Sequence, residues 1–332
     1  LRPTLPGGFF TRGALRIIRS ELEKADVLHL HCVWSPAAIQ LASVARKISL
    51  PYVISLHGML DDWSMAQGWL KKRLAMSVAV RRLLEGAARV HCTVQAEYDQ
   101  SRKWFPKGTV AIIPYIIDLV PYTNLPGRGP AETRFEFLRD RSEPTVLFLS
   151  RVHYKKGCEH LIRAAASLRA GGVQARYVFA GSGEPAYVQS LKDLAASLNV
   201  GDKCHFVGQV LGTEKVSLYQ AADLFVLPTS QENLGIVLVE AAACGVPVIT
   251  TKGVDIWHDL ESGGAGSIVE DPSKDLAREV ERLLKDPSAR LAMGAKGREW
   301  AFREFDEDFI RRRFEAMYER RDQAVRPSPM PT

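Results

Sequence analysis

Residues 224–250 read LFVLPTSQENLGIVLVEAAACGVPVIT, and their patterning decides the fold. The apolar run 224–227, closed by Pro228, has the length and composition of a buried strand. A polar loop follows, then an apolar stretch, 236–243, long enough for two helical turns. Cys244 and Gly245 end it, and 246–250 opens a second strand. A strand, a helix and a strand in direct succession form a βαβ unit, whose strands run parallel.

The same alternation extends outward over almost the whole chain. Strands are expected at 27–31, 52–56, 90–94 and 110–113, and again at 145–150, 176–180, 204–207 and 267–269. Helices are expected at 37–47, 70–85, 158–169 and 188–198, with three more from 275 to about 320. Between the two series Pro121, Pro126, Gly127, Gly129 and Pro130 break both periodicities. The expected organisation is a Rossmann-like domain over 1–120, an interdomain linker with a surface segment over 121–143, a second Rossmann-like domain over 144–304, a C-terminal helix over 305–326 and a disordered tail over 327–332. Each half is then a doubly wound α/β unit, with ligands beyond the carboxyl ends of its strands.

The chain has 332 residues, ordinary apolar and charged fractions, and a net charge of +6, which suits a globular two-domain protein. Residues 1–140 carry 19 Lys and Arg against 12 Asp and Glu, so the excess of positive charge lies in the first half. Nucleic acid, an acidic substrate or an anionic membrane would each suit that half. No basic-aromatic reading motif supports nucleic acid, so no nucleic-acid partner is expected. The five cysteines are dispersed, with neither a C-x-x-C pair nor a metal-ligand cluster, and point to a reducing cytoplasm and no metal site. No apolar run approaches the roughly 20 residues that span a bilayer.

Four stretches carry candidate chemistry. Glu232 and Glu240 bracket the start of the 236–243 helix; Glu232 is expected in the loop and Glu240 inside the helix. Gly235 between them would present bare amides and the positive helix end to a phosphate. Two acids near a helix end can also be simply solvated. Ser150-Arg151, followed by Lys155-Lys156-Gly157, joins a strand to a helix and offers a guanidinium fork and an ammonium to a diphosphate. Ala180-Gly-Ser-Gly-Glu184 is a third strand end, with a glycine turn that any βα crossover could need. There is no G-x-x-x-x-G-K-[ST] run, which disfavours a P-loop ATPase. In the first half, Ser55-Leu-His57-Gly58-Met-Leu-Asp61-Asp62-Trp63 follows a strand, with His57 the first candidate ligand group, His31 a second, and His29 expected in the core.

Taken together, Ser150-Arg-x-x-x-x-Lys156-Gly, Ala180-Gly-Ser-Gly, Leu227-Pro-Thr and the Glu232 to Glu240 segment resemble the signature of retaining glycosyltransferase family 4, the glycosyl transferases group 1 of GT-B fold. DVLHLHCVWSP and PYVISLHGMLDDWS in the first half resemble its polysaccharide-assembling members. The resemblance implies two Rossmann-like domains facing across a cleft. It also implies metal-independent hexosyl transfer with retention, without a cofactor, from a UDP- or GDP-sugar to a glycan, lipid-linked or small-molecule acceptor in polysaccharide or glycoconjugate synthesis. The resemblance further implies a front-face attack in which the departing phosphate would serve as base. Arg151 and Lys156 are then expected to stabilise the diphosphate, Glu232 to hold the sugar, and Glu240 the ribose. On the same resemblance Asn233, Leu234, Gly235 and Ile236 would adjoin the phosphates, Gly181 and Val210 would border the nucleotide, and His57 would reach the donor sugar from the other domain. His31, Asp61 and Trp63 are assigned to the acceptor side.

Two departures are visible. Family members begin with a strand and a Gly-Gly loop, whereas this chain starts near Pro6-Gly7-Gly8, so that a first βα unit is expected to be absent. Their Pro-Asn-Gly-hydrophobic-Asp turn is replaced by Pro114-Tyr-Ile-Ile-Asp118. The rival reading is a non-catalytic nucleotide-sugar-binding protein or an inactive truncated fragment; a nucleotide-sugar epimerase or a phosphorylase lacks its own spacings or length here. Finally, the stretch 69–84 sets Leu70, Leu74 and Val78 four apart beside Lys71, Lys72, Arg73, Arg81 and Arg82. Either its apolar side packs on the first sheet, or it lies on an anionic membrane and makes the protein peripheral to the inner face.

Overall fold

The computed structural model describes residues 2–3 and 5–319. The expected tail, 327–332, and the end of the expected C-terminal helix lie outside the described residues. The chain forms two compact units, one from its start to Ile116 and again from Asp308, the other Ile117–Glu307.

The first unit holds four parallel strands, β1 Leu28–His31, β2 Tyr52–Ser55, β3 Arg89–Cys92 and β4 Val110–Ile112, in spatial order β1-β2-β3-β4. Ile54, Leu56, Val80, Leu83, Leu84 and Val90 are buried together in its core. The second unit holds β5 Thr145–Leu149, β6 Arg176–Ala180, β7 Cys204–Gly208, β8 Leu224–Leu227, β9 Val248–Thr251 and β10 Gly266–Val269. Their order is β10-β9-β8-β5-β6-β7, all parallel. Winding runs outward from β5 to β7, then restarts at β8 on the other side of β5, which makes the β5/β8 edge a topological switch point. Every residue of β5, β6 and β8 is buried, because helices cover both faces of a parallel sheet.

All ten expected strands form, within two residues of the expected ends. The expected linker is different. The chain passes between units at Ile116/Ile117, and 121–143 is part of the second unit rather than a free connection. Within it Gly129–Arg134 is helical, with Pro130 in the first turn, where proline lacks only an amide that the helix does not use. That turn is tied to the helix Gly212–Ala221: the Ala131 amide donates to Ser217 Oγ at 2.9 Å and the Gly127 amide to Gln220 Oε1 at 2.6 Å. The helix Glu307–Tyr318 belongs, from Asp308, to the first unit; Arg313 Nη2 donates to Ile112 O at 2.5 Å.

The expected single helix 70–85 is interrupted. Trp69–Ala75 and Arg81–Glu85 are α-helical, and a π turn, Met76–Val80, lies between them. Met76, Val80, Leu83 and Leu84 enter the core, whereas Leu70, Leu74 and Val78 are 66%, 67% and 72% exposed. The apolar residues are therefore split between two faces. Among the described residues no helix is long and apolar enough to cross a membrane.

Candidate active site

Both strand ends at the switch point carry candidate residues. After β5, His153 caps a short turn, Tyr154–Lys156, and its Nδ1 accepts from the Lys155 amide at 3.3 Å. That turn is held against the end of β8. Lys155 O accepts from Thr229 Oγ1 at 2.9 Å and from the Ser230 amide at 2.8 Å. Gly157, at φ 72°, lies so close that a Cβ would stand 2.1 Å from Pro228 O. Only glycine satisfies both the left-handed backbone and the contact.

This closure brings Lys156 beside Glu232. Lys156 is 7% exposed, and its Nζ donates to Glu232 Oε2 in an ion pair. Glu232 lies in the loop before the helix Ile236–Ala243, as expected. Its backbone is pinned to the turn after β9, the Glu232 amide donating to Gly253 O at 2.8 Å and the Asp255 amide to Glu232 O at 2.9 Å. Asn233 Nδ2 donates to Asp255 Oδ2 at 3.2 Å. Leu234 is buried and Ile236 exposed. Arg151 is exposed at the end of β5. His153 is held below the usual histidine range by burial, then by the cations Arg151, Lys155 and Lys156.

Glu240, 9% exposed, sits inside the helix with each oxygen engaged. Lys215 Nζ donates to Oε1 at 2.6 Å and Tyr219 Oη to Oε2 at 2.9 Å. Burial, with the Glu240 charge next, pushes the hydroxyls of both Tyr219 and Tyr122 up. Lys215, Tyr219 and Tyr122 were not among the expected residues. No sequence motif marks them, because they come from the 212–221 helix and from the stretch read as linker.

Gly181 follows β6 at φ 143°, and a Cβ there would meet Ser150 O at 1.8 Å. A cavity of about 500 Å³ opens beyond β6 and β7, lined by Val152, Gly181, Ser182, Phe206, Gly208 and Gln209 among others, a size that suits part of a nucleotide. It lies one strand over from the Lys156–Glu232 pair. Val210, just beyond it, is buried.

In the first unit, His57 has φ 54°, a backbone region uncommon for a non-glycine residue. Its Nε2 shares a hydrogen bond of 2.8 Å with His31 Nδ1, and its Nδ1 one of 2.7 Å with Tyr115 Oη. Burial, then His31, lowers the His57 pKa. His29, expected in the core, is half-buried and belongs to a directed chain. His91 Nε2 donates to Ile113 O at 2.8 Å, so its Nδ1 must accept from Ser55 Oγ, at 2.7 Å. Ser55 Oγ then accepts from His29 Nε2 at 2.7 Å, and His29 Nδ1 accepts from Tyr318 Oη at 2.7 Å. Both histidines are neutral in this arrangement, and burial lowers each to about 4, helped by neighbouring histidines. Asp61 is buried and caps the helix Asp62–Ala66 by accepting from the Ser64 amide; Trp63 is half-buried beside it.

Two units of parallel sheet are the architecture of the GT-B class; the second is doubly wound, with basic and acidic side chains meeting at its switch point, whereas the first, in the sequential order β1-β2-β3-β4, winds in one direction only and is not the doubly wound sheet expected of it. Residues 131–300 match the family described as glycosyl transferases group 1, and residues 2–115 match the glycosyl transferase 4-like domain. The GDP-mannose-dependent alpha-(1-6)-phosphatidylinositol monomannoside mannosyltransferase of Mycobacterium tuberculosis is 33% identical over 286 residues, covering 82% of this chain and 71% of that protein. D-inositol 3-phosphate glycosyltransferase of Kineococcus radiotolerans is 28% identical over 315 residues, covering 88% of this chain and 72% of that one. Among solved structures, HepE of Anabaena in complex with UDP superposes with a TM-score of 0.79 at 20% identity, over 92% of this chain and 81% of that one. The chain belongs to the glycosyl transferases group 1 family and is a glycosyltransferase of GT-B fold.

Proposed function

We propose that the protein transfers a hexosyl residue with retention, and without a metal, from a GDP- or UDP-sugar to a glycan, lipid-linked or small-molecule acceptor. The observation that carries this reading is the meeting of Lys156 and Glu232 at the β5/β8 switch point. Arg151 and Lys156 supply the positive charge that a departing diphosphate needs. Glu232 is assigned to the transferred sugar and Glu240 to the ribose, with Asn233, Leu234, Gly235 and Ile236 at the phosphates and Gly181 and Val210 at the nucleotide. His57 is assigned a catalytic role, and His31, Asp61 and Trp63 the acceptor side; Asp61 also caps the helix Asp62–Ala66. Relatives named for GDP-mannose, phosphatidylinositol mannoside and inositol phosphate, and a structural neighbour holding UDP, support this donor and acceptor range.

Release of GDP or UDP from GDP-mannose and UDP-glucose, in EDTA and with an acceptor panel, tests the reading. The anomeric configuration of the product reports retention. Donor binding without acceptor-dependent release would favour the non-catalytic alternative.

We further propose that the helix starting at Trp69 rests on an anionic membrane at its inner face. Leu70, Leu74 and Val78 form an exposed stripe beside Lys71, Lys72 and Arg73, the combination that binds an interface by apolar burial and charge.

A further inference from the structure

Lys156 and Glu232, assigned above to two different parts of the donor, are bound to each other. We propose that this ion pair makes recognition of the transferred sugar conditional on the diphosphate. Lys156 holds Glu232 through Oε2 until a nucleoside diphosphate draws the ammonium to itself, and only then are both carboxylate oxygens open to sugar hydroxyls. The inference rests on the donor reading of this site and deepens it.

The backbones on either side are fixed. The turn carrying Lys156 is fastened to Thr229 and Ser230 through Lys155 O, and the loop carrying Glu232 is fastened to Gly253 and Asp255. Exchange of partners therefore falls to the two side chains. They are unequal: the Lys156 side chain is 9% exposed and that of Glu232 25%, so Glu232 is the one with room to turn outward. Exposed Arg151 pairs with no carboxylate among the described residues, which leaves a cation on the same strand end to meet an arriving anion first. A diphosphate carries more charge than one carboxylate and has several acceptor oxygens, so it competes successfully for an ammonium with three donors. A free hexose offers no such charge and cannot draw Lys156 away from Glu232 Oε2. The enzyme thereby discriminates against unactivated sugars without a clash or a closed gate.

The test is a double-mutant cycle on GDP and UDP binding, using calorimetry on the whole chain as wild type, Glu232→Gln, Lys156→Ala and the double variant, with Lys156→Met replacing Lys156→Ala if the latter fails to fold. Glu232→Gln is expected to tighten nucleoside diphosphate binding about threefold to tenfold when Lys156 is present, and to leave it unchanged when Lys156 is absent. Equal tightening in both backgrounds would mean plain repulsion between Glu232 and the phosphates, and would overturn the proposal. So would no tightening at all. Lys156→Ala with wild-type affinity would instead overturn the donor reading on which the proposal stands, and the two failures are thereby told apart.

Discussion

The Lys156 ammonium donates to the Glu232 carboxylate across a sequence separation of 76 residues, because β5 and β8 are neighbours in the sheet. If Lys156 and Glu240 hold the donor, each alanine variant loses about one to two decades of affinity for the nucleoside diphosphate, as expected for a hydrogen bond to a charged group worth roughly 1.5–3 kcal/mol. Calorimetric titration of both folded variants checks this, and wild-type affinity in both would remove these residues from the donor site.

Gly181→Ala should destabilise the second unit by at least about 2 kcal/mol, since the new Cβ meets the Ser150 carbonyl in a backbone region closed to alanine. The same change displaces the lining of the cavity beyond β6. An unchanged melting temperature would show that the turn relaxes freely.

His57→Ala is expected to leave GDP and UDP affinity intact while lowering kcat, because His57 lies in the first unit and the residues proposed for the diphosphate lie in the second. Turnover equal to wild type in a preparation that is otherwise active would make the His31–His57–Tyr115 bonds a structural feature only.

Stability should fall on acidification through the window set by His91. Its folded pKa, about 4, lies below the ordinary value near 6.5, so the unfolded chain binds more protons between those limits. The neutral-histidine contribution is complete above about pH 6.5 and is lost as pH drops toward 4, at a cost of about 3 kcal/mol for this buried ring. His29 adds to it, by less, since it is only half-buried. Chemical denaturation at pH 7 and pH 4.5 should show the decrease, and His91→Gln should flatten it. A variant that loses stability just as steeply would place the acid sensitivity elsewhere.

Co-sedimentation with vesicles containing anionic lipid should be strong at low salt, weaken as salt rises, and weaken again when Lys71, Lys72 and Arg73 become glutamine. Leu74→Asn with Val78→Asn should reduce the part that salt leaves behind; both side chains are exposed, so the fold is expected to tolerate the change. Binding indifferent to salt and to all five substitutions would leave the acceptor a diffusible molecule.

The strands and the parallel class of sheet were legible in the amino-acid order, and so was the placing of candidate charged residues just past the strand ends. Each rests on local regularities: runs of apolar residues of strand length, glycines where the backbone turns sharply, and charged residues just past strand ends. What the chain order does not contain is which strand ends become neighbours. That Lys156 meets Glu232 depends on β8 pairing with β5, and that Lys215, Tyr219 and Tyr122 surround Glu240 depends on the docking of helices with no motif of their own. The stretch 121–143 read as linker because its prolines and glycines interrupt periodicity, yet Pro130 fits a helix's first turn and Ala131 finds Ser217. The helix after Trp69 read as one apolar side, whereas Met76 and Val80 are buried and Leu70, Leu74 and Val78 form an exposed stripe. Sequence determines local conformation through short-range sterics and patterning; the partners of a buried charge or an exposed leucine are decided only when distant segments pack.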